Sequence, residues 1–259
     1  MRPEAADRFE GLAETYALYR PGYPVAAFAA LADQVDCPAR IAVDVGAGPG
    51  NSTRALRLAL PQDWLVMAVE PGRDMRRVLA RSFREEPRVQ VDDGAAEALP
   101  LPDGSAGLIV ACTAYHWFDR TAFFAEAARV LAPGGVLAML RNRRVGSPLV
   151  AAFDAYVAEH SIEFGDFQAR EKTKEPSVRD LGALETFRSG KSRTFGWQQE
   201  TDCQGLIDLY LTRSTVWSLV RRIGLGQVIA DLRAICDAQG ATGRFTLEWE
   251  TTVKWTRRR

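Results

Sequence analysis

Short apolar runs alternate with helix-like patterns through the first half of the chain. The runs are Ile41–Val45, Leu65–Val69, Val89–Val91, Leu108–Cys112 and Val136–Leu140. Most are nearly continuous in hydrophobicity, as strands covered on both faces of a parallel sheet require. Between them, apolar positions recur at helical spacing. Asn51, Ser52 and Thr53 are capable N-caps for a helix that stops before Pro61. Asp74 can cap a second helix, with Met75, Val78, Leu79 and Phe83 on one face and Pro87 beyond its end. A third face, Phe123, Phe124, Ala127, Val130 and Leu131, is closed by Pro133-Gly134-Gly135. Strand–helix–strand repetition over residues 41–140 predicts a doubly wound α/β sheet.

The flanks read differently. Residues 1–30 are helical in pattern, with Phe9, Leu12, Tyr16 and Tyr19 at spacings of three and four, and are broken at Arg20-Pro21-Gly22-Tyr23-Pro24. Residues 145–190 are polar, glycine-dotted and irregular, and are expected to cover the carboxyl edge of the sheet. Phe195 and Trp197 mark a strand over 192–199, and the alternation Phe245/Leu247/Trp249 marks another over 244–256. Two helix-like stretches, 205–220 and 226–238, lie between them. This pattern predicts a mostly parallel sheet with an antiparallel C-terminal edge strand. The expected division is a helical lid over 1–34, an α/β core over 35–145, a cover over 146–190, and C-terminal elements over 191–259 that complete the same domain.

Composition narrows the partners. The 259 residues carry 33 Lys+Arg against 33 Asp+Glu, so the long-range field of a general nucleic-acid or membrane-surface binder is missing. Arg257-Arg258-Arg259 is a basic cluster without acidic neighbours and reads as a solvated tail. No apolar stretch approaches the ~18 residues of a membrane span, and charged residues from Arg2 to Glu14 interrupt any signal-peptide core. Cys37, Cys112, Cys203 and Cys236 form no C-x-x-C pair, so reduced thiols and a cytoplasmic location are expected. With His116 and His160 the only histidines, no metal site is expected.

The most informative segment is Val43-Asp44-Val45-Gly46-Ala47-Gly48-Pro49-Gly50-Asn51-Ser52-Thr53. Three glycines at alternate positions, directly after a buried strand and opening a helix, let backbone approach a ligand and aim helix N–H groups at it. The spacing is not the G-x-G-x-x-G of dinucleotide binders, and Pro49 removes an N–H that a diphosphate cradle could use. Glu70 ends the second strand, where a carboxylate can accept hydrogen bonds from both hydroxyls of a ribose. Together they point to a nucleoside ligand at the switch point of the sheet.

Asp44-x-Gly46-x-Gly48-x-Gly50, Glu70, Asp93-Gly94-Ala95-Ala96-Glu97 and Pro133-Gly134-Gly135 resemble, in order, the motifs of class I S-adenosylmethionine-dependent methyltransferases. The resemblance covers about residues 5–142 and implies a Rossmann-like fold. Tyr16-x-x-Tyr19-Arg20-Pro21-Gly22-Tyr23-Pro24 and Ala114-Tyr115-His116-Trp117-Phe118-Asp119 narrow it to small-molecule enzymes like the ubiquinone/menaquinone-biosynthesis and trans-aconitate methyltransferases. The resemblance implies S-adenosylmethionine as cofactor, with S-adenosylhomocysteine as product. Its methionine part would lie on Gly46, Ala47, Gly48 and Gly50, organised by Asp44, with Ser52 and Thr53 opening the helix. Glu70 and Pro71 would meet the ribose, and Met75, Ala95, Ala96 and Glu97 the adenine. Thr113 and Ala114 would lie beneath the sulfonium, while Tyr16 and Arg20 close the pocket, Arg20 toward the methionine carboxylate.

Methyl transfer from a sulfonium is an in-line displacement that needs alignment and a dry pocket. Tyr115, His116, Trp117 and Phe118 offer an aromatic wall at that edge. His116 is the candidate general base, because imidazole titrates near neutrality, and Tyr16 a second catalytic candidate. Tyr23, His116, Trp117, Tyr156 and Arg213 are candidate substrate contacts, with His160, Phe164 and Trp217 nearby. Arg141, Arg143 and Arg144, just after the fifth strand, hint at an acidic or phosphorylated small-molecule acceptor; a solvated loop explains them equally. Two other readings remain: a non-catalytic S-adenosylmethionine-binding regulatory protein, and a nicotinamide-dependent oxidoreductase. The oxidoreductase lacks both its glycine spacing and a Tyr-x-x-x-Lys pair. Neither nucleic acid nor membrane is expected as partner, and the oligomeric state is not legible.

Overall fold

The computed structural model describes residues 13–161, 176–182 and 184–259. Phe9, Leu12 and Phe164 lie outside them. Among the described residues, seven strands form one sheet in the order β3-β2-β1-β4-β5-β7-β6. The parallel part comprises β1 (Ile41–Val45), β2 (Leu65–Val69), β3 (Val89–Asp92), β4 (Ala106–Cys112) and β5 (Leu131–Arg144). All seven residues of β4 are buried, which is why its sequence shows no alternation. The C-terminal strand β7 (Arg244–Arg257) is antiparallel to β5, as expected. It lies inside the sheet, and the edge is taken by β6 (Lys191–Asp202), antiparallel to β7.

Helices cover both faces. On one face α2 (Val25–Ala32) and α3 (Asn51–Ala59) bring Phe28, Leu31 and Leu56 onto Leu108, Val110 and Leu140. On the other, α5 (Arg120–Val130) sets Phe123 and Val130 against Ile109 and Leu137. The α4 helix (Arg73–Phe83) seats Leu79 and Phe83 on Ala47 and Ala68. Its Met75 and Val78 receive Ala13, Tyr16 and Ala17 of α1 (Ala13–Tyr19).

The expected N-caps are not the actual ones. Gly50, at φ 103°, opens α3 without a side-chain cap, because the Ser52 and Thr53 hydroxyls turn back to Asp44. Asp74 lies inside the first turn of α4 and pairs with Arg77 at 2.8 Å.

The stretch expected to be irregular contains α6 (Pro148–His160). Ser147 caps it, its Oγ accepting from the Val150 N–H at 3.2 Å, with Pro148 in the first turn. Val150, Phe153 and Val157, at helical spacing, are its buried stripe. A short helix α7 (Val178–Gly182) precedes β6. The helix-like stretch 205–220 is two helices, α8 (Cys203–Leu211) and α9 (Ser214–Ile223), followed by α10 (Leu225–Ala238). These pack with α6 on Leu247 and Trp249 of β7 as a separate apolar cluster. That packing joins Cys203 to Cys236 in a disulfide, which corrects the expectation of four reduced thiols; Cys37 and Cys112 are free. Among the described residues, no helix is long and apolar enough to cross a membrane.

Candidate active site

Strand order reverses between β1 and β4, and the carboxyl ends of these strands frame a crevice at that point. The glycine loop after β1 forms its floor, and its three glycines answer three different demands. A Cβ on Gly46 would lie 2.7 Å from Ala114 Cβ, so the loop can pass under β4 only with glycine there. A Cβ on Gly50 would lie 2.6 Å from the Phe83 ring, so that glycine serves helix–sheet packing. A Cβ on Gly48 would meet nothing within 4 Å. Only Gly48, at φ 57°, leaves open space on the crevice side.

Two buried carboxylates tension this loop. Asp44 is fully buried and its Oδ2 accepts from Ser52 Oγ and Thr53 Oγ1, both at 2.7 Å. Burial pushes its pKa up to about 6, against the pull of the two hydroxyls. Glu70, 9% exposed, accepts from the Gly48 N–H on Oε2 and the Gly72 N–H on Oε1, each at 2.8 Å. Burial raises its pKa too, opposed by those two donors. Each oxygen keeps a further acceptor site. Arg76 holds the frame from behind, donating to the Glu70 and Pro71 carbonyls at 2.8 and 2.9 Å and pairing with Asp93 at 3.0 Å.

Beyond β4, Thr113 adopts φ 56°, a left-handed conformation that a β-branched residue rarely accepts. Its N–H donates to the Leu140 carbonyl at 2.9 Å, and its Oγ1 lies 2.9 Å from Tyr23 Oη. The aromatic wall then divides. Tyr115 turns inward against Phe118, Phe123 and Phe124. His116 and Trp117, with rings 4.7 Å apart, face the opening.

Two connected spaces result. A cleft of ≈ 570 Å³ runs over Gly46, Ala47, Gly48 and Ser52 toward Tyr23 and Thr113. A larger, solvent-open chamber of ≈ 1440 Å³ is lined by His116, Trp117, Arg141, Arg144, Asp154 and Arg213. Tyr16, Arg20, Thr113, Asn142 and Trp249 border both. Arg20 spans the join: its Nη2 donates to the Thr212 carbonyl at 3.1 Å, and its guanidinium lies 4.9 Å from the Tyr16 ring centre. Its Nε is buried with no acceptor among the described residues.

The structure thus brings together Tyr16, Arg20, Gly46, Ala47, Gly48, Ser52, Thr113, His116, Trp117 and Arg213 around these spaces. Asp44, Gly50, Thr53 and Ala114 stand behind the lining, and Tyr23 borders the cleft rather than the chamber. Glu70, Pro71, Met75, Ala95, Ala96 and Glu97 lie outside the cleft lining, Met75 on α4 against α1. Ala96 is buried and Glu97 Oε1 accepts from the Asp119 N–H at 2.7 Å. Tyr156 lies elsewhere: its hydroxyl donates to Asp231 at 2.7 Å and its ring meets His160 at 4.6 Å, between α6 and α10. Trp217 packs in that same helical cluster. Sequence reasoning missed Asp154, Asn142 and Trp249. For Trp249 the alternation along the last strand marks an inward face, but not what the indole looks onto.

A methyltransferase-domain profile matches residues 43–139. An uncharacterized methyltransferase of Mycobacterium bovis is 32% identical over 200 residues, covering 75% of this chain and 72% of its own length. The malonyl-[acyl-carrier protein] O-methyltransferase of Alcanivorax borkumensis is 37% identical over 218 residues, 84% of this chain and 66% of that one. Among solved structures, a Type II methyltransferase candidate from Anaeromyxobacter dehalogenans superposes with a TM-score of 0.69 at 25% identity, covering 93% of this chain and 98% of its own. A doubly wound sheet with a glycine loop at its switch point, an acidic tip on β2 and an antiparallel last strand inside the sheet is in keeping with a class I methyltransferase, and the relatives show the class. This chain belongs to that family, and S-adenosylmethionine is its cofactor. The residues fit the group: Gly48 leaves a cradle that a Cβ would fill, Glu70 has unfilled acceptor sites, and Arg20 Nε is a buried donor awaiting an acceptor.

Proposed function

We propose that the protein transfers a methyl group to an acidic small-molecule acceptor held in the arginine-lined chamber, by in-line displacement at the join of the two spaces. The bound cofactor supplies an electrophilic methyl group. In this reading Gly46, Ala47 and Gly48 carry the methionine part, Arg20 Nε meets its carboxylate, and Glu70 with Pro71 takes the ribose. Met75, Ala95, Ala96 and Glu97 flank the adenine. Thr113 and Ala114, with Tyr16 across the opening, hold the transfer point and exclude water. His116 accepts the proton when the nucleophile is O–H or N–H; a carboxylate nucleophile arrives ionised and needs no base. Tyr23 supports Thr113 through its hydroxyl, and Arg213 and Trp117 border the acceptor.

One observation carries the reading: the cleft and the chamber share Tyr16, Thr113 and Trp249, so a donor in one meets an acceptor in the other. The Alcanivorax relative, an O-methyltransferase of a malonyl-carrier protein, is in keeping with an acidic acceptor. The division into lid, core, cover and C-terminal elements is part of the same proposal. The test is a screen of small carboxylic and phosphorylated acids with methyl-labelled S-adenosylmethionine. Label is expected in acids; transfer confined to neutral acceptors would overturn the acidic reading.

A further inference from the structure

Two residues of the chamber lining carry buried hydrogen-bond donors with no acceptor among the described residues: Arg144 Nη1 and Trp249 Nε1. They come from partnered positions, since Arg144 of β5 is in register with Trp249 of β7, and the guanidinium lies 6.0 Å from the indole centre. Both residues line the chamber. A buried donor left unpaired is costly, and two on paired residues of one chamber wall are accounted for by a ligand acceptor that enters between them.

Asp154 Oδ1 accepts from Arg144 Nη2 at 3.2 Å, Arg213 Nη1 at 2.8 Å and Tyr210 Oη at 2.7 Å. Two guanidiniums therefore share one carboxylate. The neighbouring Arg143 and Glu250 neutralise each other on the exposed side. Burial pulls the Arg144 pKa below the usual arginine value, with the neighbouring Arg213 pulling the same way and Tyr210 and Asp154 opposing. Phenol and indole faces wall the group, with the Arg144 guanidinium 4.5 Å from the Tyr210 ring centre.

The position of this group relative to the transfer point is set by the sheet. Thr113 bonds to Leu140 of β5, and Arg144 lies four residues further along that strand. At ~3.3 Å per residue the two are about 13 Å apart along β5.

We infer that Arg144 and Trp249 form an anchoring subsite for a carboxylate that is not the methylated group, so that the acceptor is an elongated molecule with its nucleophile near Thr113 and an acid at its other end. This rests on the methyltransferase reading above and adds to it the length and polarity of the acceptor. Arg144 and Trp249 are binding residues here: Arg144 lines the chamber alone, and Trp249 runs from it to the join of the two spaces.

The test is calorimetric titration of the S-adenosylhomocysteine-loaded protein with succinate, adipate and suberate, and with butyrate, hexanoate and octanoate as single-ended controls. The longer diacids are expected to bind more tightly than the monoacids of equal length. Arg144→Gln and Trp249→Phe should each weaken the diacids, Arg144→Gln by about ten- to hundred-fold, as loss of one charge-assisted hydrogen bond implies. Retained affinity of Arg144→Gln for S-adenosylhomocysteine reports that the variant is folded. Monoacids equal to diacids, diacid affinity unchanged in both variants, or no binding of any acid would each overturn the subsite while leaving the cofactor site standing. Failure of the wild-type chain to bind S-adenosylhomocysteine would instead overturn the methyltransferase reading and the subsite with it.

Discussion

Replacing Glu70 with alanine removes the acceptor of two backbone donors at once. The Gly48 and Gly72 N–H groups each approach the carboxylate to 2.8 Å, one on each oxygen. The Gly48 N–H borders the cleft and can be rehydrated, whereas the Gly72 bond is buried. Stranding one buried donor costs about 1–3 kcal/mol. For a domain of this size that lowers Tm by roughly 3–10 °C. Glu70→Gln restores one acceptor but turns an NH2 group toward the other donor, so it recovers only part of the loss. Both variants give up the ionised acceptor proposed for the ribose, worth about ten- to hundred-fold in the Kd of S-adenosylhomocysteine. Circular dichroism melts with and without S-adenosylhomocysteine, beside calorimetric titration, separate the two effects. An alanine variant that melts and binds like the wild type would refute the role assigned to Glu70.

Three further outcomes follow from neighbouring residues. Gly48→Ala meets no atom within 4 Å but must hold φ 57°, so it should fold with a penalty of about 1–2 kcal/mol and lose cofactor binding; Gly46→Ala, 2.7 Å from Ala114, should lose mainly stability. Melts and titrations of the pair giving the same pattern for both would contradict that division. Thr113→Gly relieves the φ 56° strain but sacrifices the Tyr23 contact, so Tm should stay within a few degrees of wild type while methyl transfer falls. Activity preserved in that variant would remove Thr113 from the transfer point. Asp44, raised from 3.8 to about 6 by burial, binds more protons folded than unfolded between those values, so its ionisation destabilises the apoprotein as pH rises. Asp44→Asn should therefore gain on the wild type by about 2 kcal/mol between pH 4 and pH 7 in denaturant titrations, and a pH-independent difference would contradict the assignment.

The parallel core was legible because both its signals are local. Continuous apolar runs as short as Leu108–Cys112, bounded by turn residues, read as strands buried on two faces, and proline and glycine mark where the helices between them stop. Glycine spacing and the acidic tip of β2 likewise announce a nucleoside site from short segments. What the spacing cannot divide is the work of the three glycines: Gly46 and Gly50 are demanded by Ala114 and Phe83, which are distant in sequence. The same holds for α6, whose stripe Val150, Phe153 and Val157 is hidden in polar surroundings until the C-terminal helices cover it. Tyr156 was read toward the acceptor because it follows the sheet edge in sequence, yet its side of α6 faces Asp231. Arg144 stood out as a charge, but its neighbours Trp249, Asp154 and Tyr210 come from three separate elements. A chamber assembled from long-range contacts leaves no motif.

The most direct test of the account is a crystal structure of the protein with S-adenosylhomocysteine. The account predicts the amino-acid part over Gly46–Gly48 with its carboxylate on Arg20 Nε, the ribose hydroxyls on Glu70, and the sulfur beside Thr113 facing the arginine-lined chamber. A nucleoside bound elsewhere, or one whose sulfur faces away from Thr113 and the chamber, would contradict it.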